Sequence, residues 1–297
     1  MQKSAFIAIV GRPNVGKSSI LNHILKQKVA IVSSKPQTTR TRIMGVYTQD
    51  EVQLVFTDTP GLHKPKTKLG DFMVKSIVEA VSGVDACLLV ADASAKPAAA
   101  ELELIERFKA QNLPAILALN KIDLIREKEG IIEKINAYAQ LFDFKAVVPL
   151  SAKNGSGMEV LIRELSSLAE EGPHFFDDDT LTDQPERVLA GEIIREKLLR
   201  ALNDEVPHGI AVGIEKMRER ENSPIVDIEA TIYCERESHK GIVIGKKGEM
   251  LKRIGEKARL DLERFLDCKV NLQLWVKVKD DWRNREGLLK NFGFREE

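Results

Sequence analysis

Gly11-Arg12-Pro13-Asn14-Val15-Gly16-Lys17-Ser18 is the stretch that decides the fold. It follows an apolar run at 5–10 and precedes helical periodicity at 17–26, so it reads as the turn from a strand into a helix. The string fits G-x-x-x-x-G-K-[ST] in the strand–turn–helix context that gives the motif its meaning. Glycines let the backbone turn tightly, so that its N–H groups converge on phosphate oxygens, and the helix start adds its positive dipole end. Lys17 would reach the β- and γ-phosphates and the Ser18 hydroxyl would ligate Mg²⁺, with Ser19 continuing the same turn. Composition alone yields such a string in roughly one chain in a hundred of this length. The motif does not by itself separate ATP from GTP.

Outward from this turn, short apolar runs alternate with amphipathic stretches. Strands are expected at 5–10, 53–57, 86–91, 115–119 and 146–149, and helices at 17–26, 72–81, 101–110, 131–140 and 159–169. That order predicts an α/β domain with a doubly wound, mostly parallel sheet covered by helices. The polar stretches 33–42 and 58–68 are long for loops in such a domain, and long loops tend to be functional.

Two later motifs choose the base. Asn120-Lys121-Ile122-Asp123 stands at the end of an expected strand, where open α/β sheets bind ligands. The Asp123 carboxylate can accept from guanine's ring N–H and exocyclic amine, a donor pair that adenine lacks, and such sites reject the wrong substrate by roughly 10⁴–10⁵. Ser151-Ala152-Lys153 follows the next strand and would supply a backbone N–H to the guanine oxygen. Asp58-Thr59-Pro60-Gly61 also ends a strand: Asp58 is the expected carboxylate on the Mg²⁺ side, and the Gly61 N–H could sense a γ-phosphate. Between these lies the candidate switch segment Gln37-Thr38-Thr39-Arg40-Thr41. One of its two adjacent threonines, Thr39 by preference, would complete the metal site with Ser18 and Asp58. Each string alone reads as an ordinary turn; the five together, in this order, specify a GTPase domain.

At this point a resemblance becomes specific. The domain looks like a translation-factor-related GTPase, and Lys35-Pro36-Gln37-Thr38-Thr39-Arg40 with Asp58–Leu62 resembles the Era family. Leu62 stands where many small GTPases carry a water-orienting glutamine, and the neighbouring His63 reads as a loop histidine. Hydrolysis is therefore expected to be slow. Asn14 carries two readings. Related GTPases with an asparagine here use it to hold K⁺ in place of an arginine finger, which would recruit backbone carbonyls of the 33–39 loop; alternatively, Asn14 braces the phosphate loop through backbone hydrogen bonds.

Near 172–187 the texture changes to Gly172-Pro173, Asp177-Asp178-Asp179 and Gln184-Pro185, which reads as a linker. The expected domains are thus 1–171 for nucleotide and 188–297 for a second module with a C-terminal tail. That module reads as helix 186–202, strands 209–216 and 225–234, a helix pair around 245–248, and a strand at 270–278. Ile242-Val243-Ile244-Gly245-Lys246-Lys247-Gly248 fits the GXXG loop of a type II KH domain, an α+β fold that clamps four nucleotides of a single strand. The glycines permit close approach of a backbone and the lysines neutralise phosphate. Ile242 and Ile244 would floor a groove, while Lys252 and Arg253 continue the basic run. Of two tryptophans that could stack bases, Trp275 reads as core and Trp282 as surface packing. A GTPase domain followed by a KH domain resembles the Era family over nearly the whole chain. The resemblance implies a monomer that binds 16S rRNA near its 3′ end, assists 30S maturation, and associates peripherally with the inner membrane.

Composition agrees with a globular chain: 297 residues, 45 Lys+Arg balanced by 45 Asp+Glu, and 43% hydrophobic residues. Zero net charge excludes a uniformly basic nucleic-acid binder, although 239–259 holds seven basic residues against Glu249 and Glu256. The longest apolar runs fall short of the ~18 residues a membrane span needs. Three scattered cysteines show neither metal spacing nor a disulfide framework, so a cytoplasmic protein is expected. Two other classes compete with a switch acting on ribosomal RNA. An RNA-modification GTPase would need a further catalytic module. A non-hydrolysing scaffold would have lost Lys17, Ser18 or Asp58, and all three are present.

Overall fold

The computed structural model describes residues 1–35, 37–61, 67–203, 206–292 and 294. They form two compact units, the first from Met1–Ala30, Thr39–Lys64 and Met73–Asp183, the second from Ile31–Thr38, Pro65–Phe72 and Gln184–Glu297.

Up to residue 171 the order is β1 (Lys3–Val10), α1 (Lys17–Leu25), β2 (Ile43–Gln49), β3 (Val52–Asp58), α2 (Lys68–Val81), β4 (Ala86–Asp92), α3 (Ala99–Gln111), β5 (Ala115–Asn120), α4 (Lys128–Ala139), β6 (Ala146–Pro149), α5 (Met158–Ser166) and β7 (Glu170–Glu171). The sheet runs β2-β3-β1-β4-β5-β6, with β7 on β1. β1, β3, β4, β5 and β6 are parallel, and β2 and β7 pair antiparallel. β1 is buried on both faces. Ala5, Ile7 and Ile9 join an apolar cluster with Ile20 and Leu21 of α1 and Leu161 of α5, while Ala8 and Val10 join Ile77, Leu104 and Phe108 on the other side. That is why 5–10 reads as one continuous apolar run. The strand order reverses at β1, and ligands of open α/β sheets bind outside the strand ends at such a point.

The stretch expected to link the domains is in part held to the first unit. Gln53, fully buried in β3, accepts the N–H groups of Phe175 (2.7 Å) and Phe176 (3.0 Å) and donates to the Phe176 carbonyl (2.9 Å). The Val46 N–H donates to the Leu181 carbonyl (2.9 Å), and the Thr182 hydroxyl to that of Met44 (2.6 Å). The first unit therefore continues to Asp183.

The second unit contains α6 (Glu186–Ala201), β8 (Ile210–Glu219), β9 (Ile225–Cys234), α7 (Glu237–Ile244), α8 (Glu249–Leu266), β10 (Lys269–Val278) and α9 (Glu286–Asn291). Its sheet runs β10-β9-β8, with β8 antiparallel and β10 parallel to β9. The core gathers Ile194 and Leu198 of α6, Ile228 and Ile232 of β9, and Ile254, Ala258 and Leu262 of α8. The two tryptophans are the reverse of the sequence expectation. Trp282 is fully buried, its indole N–H on the Gly209 carbonyl (2.9 Å) and its ring against Phe292. Trp275 is 43% exposed. In β10 it shares the outward face with Gln273 and Lys277, while Leu274 and Val276 pack on the core. Among the described residues no helix is long and apolar enough to cross a membrane.

Candidate functional site

The segments after β1 and β3 meet at the β1 switch point. Gly11 and Val15 are buried, Arg12, Pro13, Gly16, Ser18 and Ser19 half-buried, and Asn14 exposed with φ 63. Gly16 has φ 107, and a Cβ there would fall 2.2 Å from the Asn120 side-chain nitrogen, so no other residue fits. Lys17 Nζ donates to the carbonyls of Gly11 (3.1 Å) and Arg12 (3.0 Å). Burial pulls its ammonium down to about 8, despite the attraction of Asp58. Burial pushes the Asp58 carboxyl up to about 6, opposed by Lys17 and by the Ser18 hydroxyl.

Three oxygens from three segments converge here. Ser18 Oγ donates to Asp58 Oδ2 (2.7 Å) and lies 3.0 Å from Thr39 Oγ1. Asp58 Oδ1 is buried without a hydrogen-bond partner among the described residues. An oxygen-only donor set with one orphaned carboxylate oxygen suits a hard divalent cation. Neighbouring ligands of an octahedral Mg²⁺ at ~2.1 Å stand about 3 Å apart, the spacing of the two hydroxyls. The structure separates the two threonines: the Thr38 hydroxyl donates to the Lys35 carbonyl (2.6 Å), leaving Thr39 beside Ser18. Arg40 is buried, and Gln37 and Thr41 are half-buried. Thr59 anchors the β3 end through its hydroxyl to the Ile9 carbonyl (2.9 Å), and Pro60 is buried beside it. Gly61 lies against Pro13, where a Cβ would come within 2.6 Å of the proline ring. Leu62 and His63 lie outside the described residues.

The ends of β5 and β6 form a second cluster. The Ser151 hydroxyl donates to Asp123 Oδ1 (2.6 Å), and Lys153 Nζ stands 4.0 Å from Asp123 Oδ2. Lys121 takes a left-handed conformation (φ 68) and pairs with Asp92 (2.8 Å). The Ile122 N–H donates to the Leu150 carbonyl (3.2 Å). Asn120 joins the two clusters: Nδ2 donates to the Val15 carbonyl (2.7 Å) and Oδ1 accepts the Ala152 N–H (3.0 Å). Sequence reading missed one support. Glu101 of α3, fully buried, accepts from Arg12 Nε (2.7 Å) and from the Tyr138 hydroxyl (2.9 Å), so it ties the phosphate loop to α3 and α4. In sequence it is an ordinary first-turn carboxylate.

In the second unit a 3₁₀ turn at Lys246–Gly248 joins α7 to α8. Gly245 has φ 73, and a Cβ would fall 2.6 Å from that of Met250, so the tight entry into α8 requires glycine. Lys246, Lys247 and Lys252 are exposed, and none has an ion pair among the described residues. Ile242 is 49% exposed, Ile244 half-buried, and Val243 between them fully buried. The loop thus presents two unneutralised cations and an exposed isoleucine, which suits a chain of phosphates and bases.

The chain resembles known proteins over its whole length. The family described as 50S ribosome-binding GTPase matches residues 6–121, and the KH domain family matches 205–283. GTPase Era of Clostridioides difficile (strain 630) is 52% identical over 296 residues, covering 100% of both chains. That of Ruminiclostridium cellulolyticum is 51% identical over 293 residues, covering 99% of this chain and 98% of the relative. A crystal structure of an Aquifex aeolicus Era variant bound to GDP·AlF4⁻ superposes with a TM-score of 0.95 at 38% identity, covering 99% of this chain and 100% of the other. An Era structure in complex with MgGDPNP and nucleotides 1506–1542 of 16S ribosomal RNA gives the same TM-score and identity over 100% of both. With half its residues shared along the full length, and both architectures matched in order, the chain belongs to the Era family of GTPases.

Proposed function

We propose that this GTPase is a switch that binds 16S ribosomal RNA near its 3′ end and assists maturation of the 30S subunit. The first unit takes GTP or GDP and the second takes RNA. The observation that carries the reading is the meeting of the Ser18, Thr39 and Asp58 oxygens beside buried Lys17. Backbone N–H groups of 11–19 and the Lys17 ammonium would hold the β- and γ-phosphates, and Gly61 would face the γ-phosphate. Ser18, Thr39 and Asp58 would hold Mg²⁺, whose charge offsets that developing on the phosphate oxygens. The MgGDPNP and rRNA bound by the related Era support both ligands.

At the base end, Asp123 would accept from guanine, with Ser151 orienting its carboxylate and Asn120 bracing the pocket. Asp123→Asn should weaken GTP binding and improve binding of xanthosine triphosphate, because an amide can donate to the 2-oxo group that a carboxylate repels. A titration showing undiminished preference for GTP would refute the pocket.

Asn14 adds a second cofactor to the proposal. Its exposed side chain, in a left-handed turn of the phosphate loop, would hold K⁺ against the β- and γ-phosphates. Hydrolysis is then faster in KCl than in NaCl at equal ionic strength, and Asn14→Ala removes the difference. Equal wild-type rates in the two salts would reject the site. We propose further that the protein is a cytoplasmic monomer with peripheral contact to the inner membrane.

A further inference from the structure

A cavity of about 410 Å³ opens between α6 and α8 in the second unit. Lys197 and Arg200 of α6 and Arg253, Lys257 and Arg264 of α8 line it. The α8 residues recur at steps of four and seven, which places them along one stripe of the helix. Ile254, fully buried, and Ala201 lie at its apolar floor, and Leu260 is 47% exposed at its edge.

The charges in this cavity do not balance. Lys197 pairs with Glu196 (2.7 Å) and with Asp261, Arg200 with Glu196 (3.1 Å), and Arg264 with Asp261 (3.4 Å). Those pairs occupy both carboxylates. Arg253 bonds the Met250 sulfur (3.1 Å), and neither it nor Lys257 has an ion pair among the described residues. A solvated basic face needs no concavity and no apolar floor. Two unneutralised cations one turn apart over such a floor suit a ligand that carries a phosphodiester beside a flat, weakly polar surface.

We propose that this cavity takes a backbone phosphate and its nucleoside from an RNA strand, outside the four nucleotides a GXXG loop clamps. The proposal rests on the reading of the second unit as RNA-binding and gives it a second contact. At 1.5 Å per residue, Arg253 to Arg264 spans roughly 16 Å of α8, enough for a track rather than a point.

The test is equilibrium binding of the full chain to RNA of nucleotides 1506–1542, the fragment bound by the related Era, read by fluorescence anisotropy across a series of KCl concentrations. Three variants are compared: Arg253→Gln with Lys257→Gln, Lys246→Ala with Lys247→Ala, and the four together. At ~0.7 per single-strand phosphate, the loop pair should lower the log–log salt slope by about 1.4, the cavity pair, on its one phosphate, by about 0.7, and the combination by about 2.1. Arg253 and Lys257 are exposed, so glutamine leaves the core untouched, and circular dichroism with the unfolding midpoint verifies this. If the cavity pair keeps the wild-type affinity and slope while the loop pair loses both, the cavity proposal is overturned and the GXXG reading stands. Absence of any RNA affinity in the wild type overturns that reading itself. Inorganic phosphate, GMP and phosphatidylglycerol vesicles are the remaining arms. Binding of any of these that the cavity pair abolishes, with RNA binding intact, assigns the cavity to a small anion or a membrane surface and overturns the proposal.

Discussion

Lys17 keeps a positive charge in a place that excludes water. Its side chain is 6% exposed, its ammonium is held by two carbonyls, and burial brings it down to about 8 from an ordinary 10.5. Between those two values the unfolded chain binds the proton and the folded chain does not, so stability rises with pH. Below about 8 both states are protonated, the pH dependence ends, and the folded chain bears the full cost of the buried ammonium. Urea unfolding without nucleotide should therefore show wild type gaining stability over Lys17→Met between about pH 8 and pH 9.5. Parallel pH profiles for the two proteins would contradict the burial argument. The triphosphate adds to the negative charge of Asp58 beside this ammonium and offsets its burial, which is how a locally unfavourable residue serves binding. Asn120 shows the opposite limit of legibility. Its motif marks it beside Asp123, but the bond it makes to Val15 crosses 105 positions, and no local pattern records that.

Elements with a strong period are legible in the sequence, and those whose partners lie elsewhere are not. The run at 86–91 appears as β4 and the periodicity at 17–26 as α1, because both faces of the strand and one face of the helix are apolar. β2 escapes the pattern. It sits at the sheet edge, Gly45 interrupts its alternation, and its last residues are half-buried or exposed. In α6 the sequence shows charges at 195–197, yet all three side chains are buried. Glu196 accepts the Val32 N–H (3.0 Å) and pairs with Lys197, which also meets Asp261, so the cost of burial is offset by partners distant in sequence. The tryptophans mislead for a different reason. The sequence expectation places Trp275 in the core, but a period of two along β10 puts it on the outward face with Gln273 and Lys277.

At the scale of the molecule, the end of the first unit is set by hydrogen bonding rather than by composition. Gly172-Pro173 and the acidic run at 177–179 have the texture of a linker, but their neighbours Phe175, Phe176, Leu181 and Thr182 satisfy buried groups of the sheet. The Phe175 ring also packs on Phe6, centroids 4.7 Å apart. A fragment cut after residue 171 would strip the Gln53 oxygen of both its donors and leave its nitrogen only the Thr48 hydroxyl (3.1 Å). An unsatisfied buried polar group costs about 1–3 kcal/mol, and each lost hydrogen bond about 0.5–1.5 kcal/mol. For a unit of this size about 1 kcal/mol shifts the midpoint by about 2–4 °C. Fragment 1–183 should thus melt at least several degrees above fragment 1–171, and Gln53→Leu in fragment 1–171 should recover part of the difference by removing a carbonyl oxygen that has lost both its donors. Coincident melting curves for the two fragments would show that 172–183 carries no stability and that the domain does end at 171.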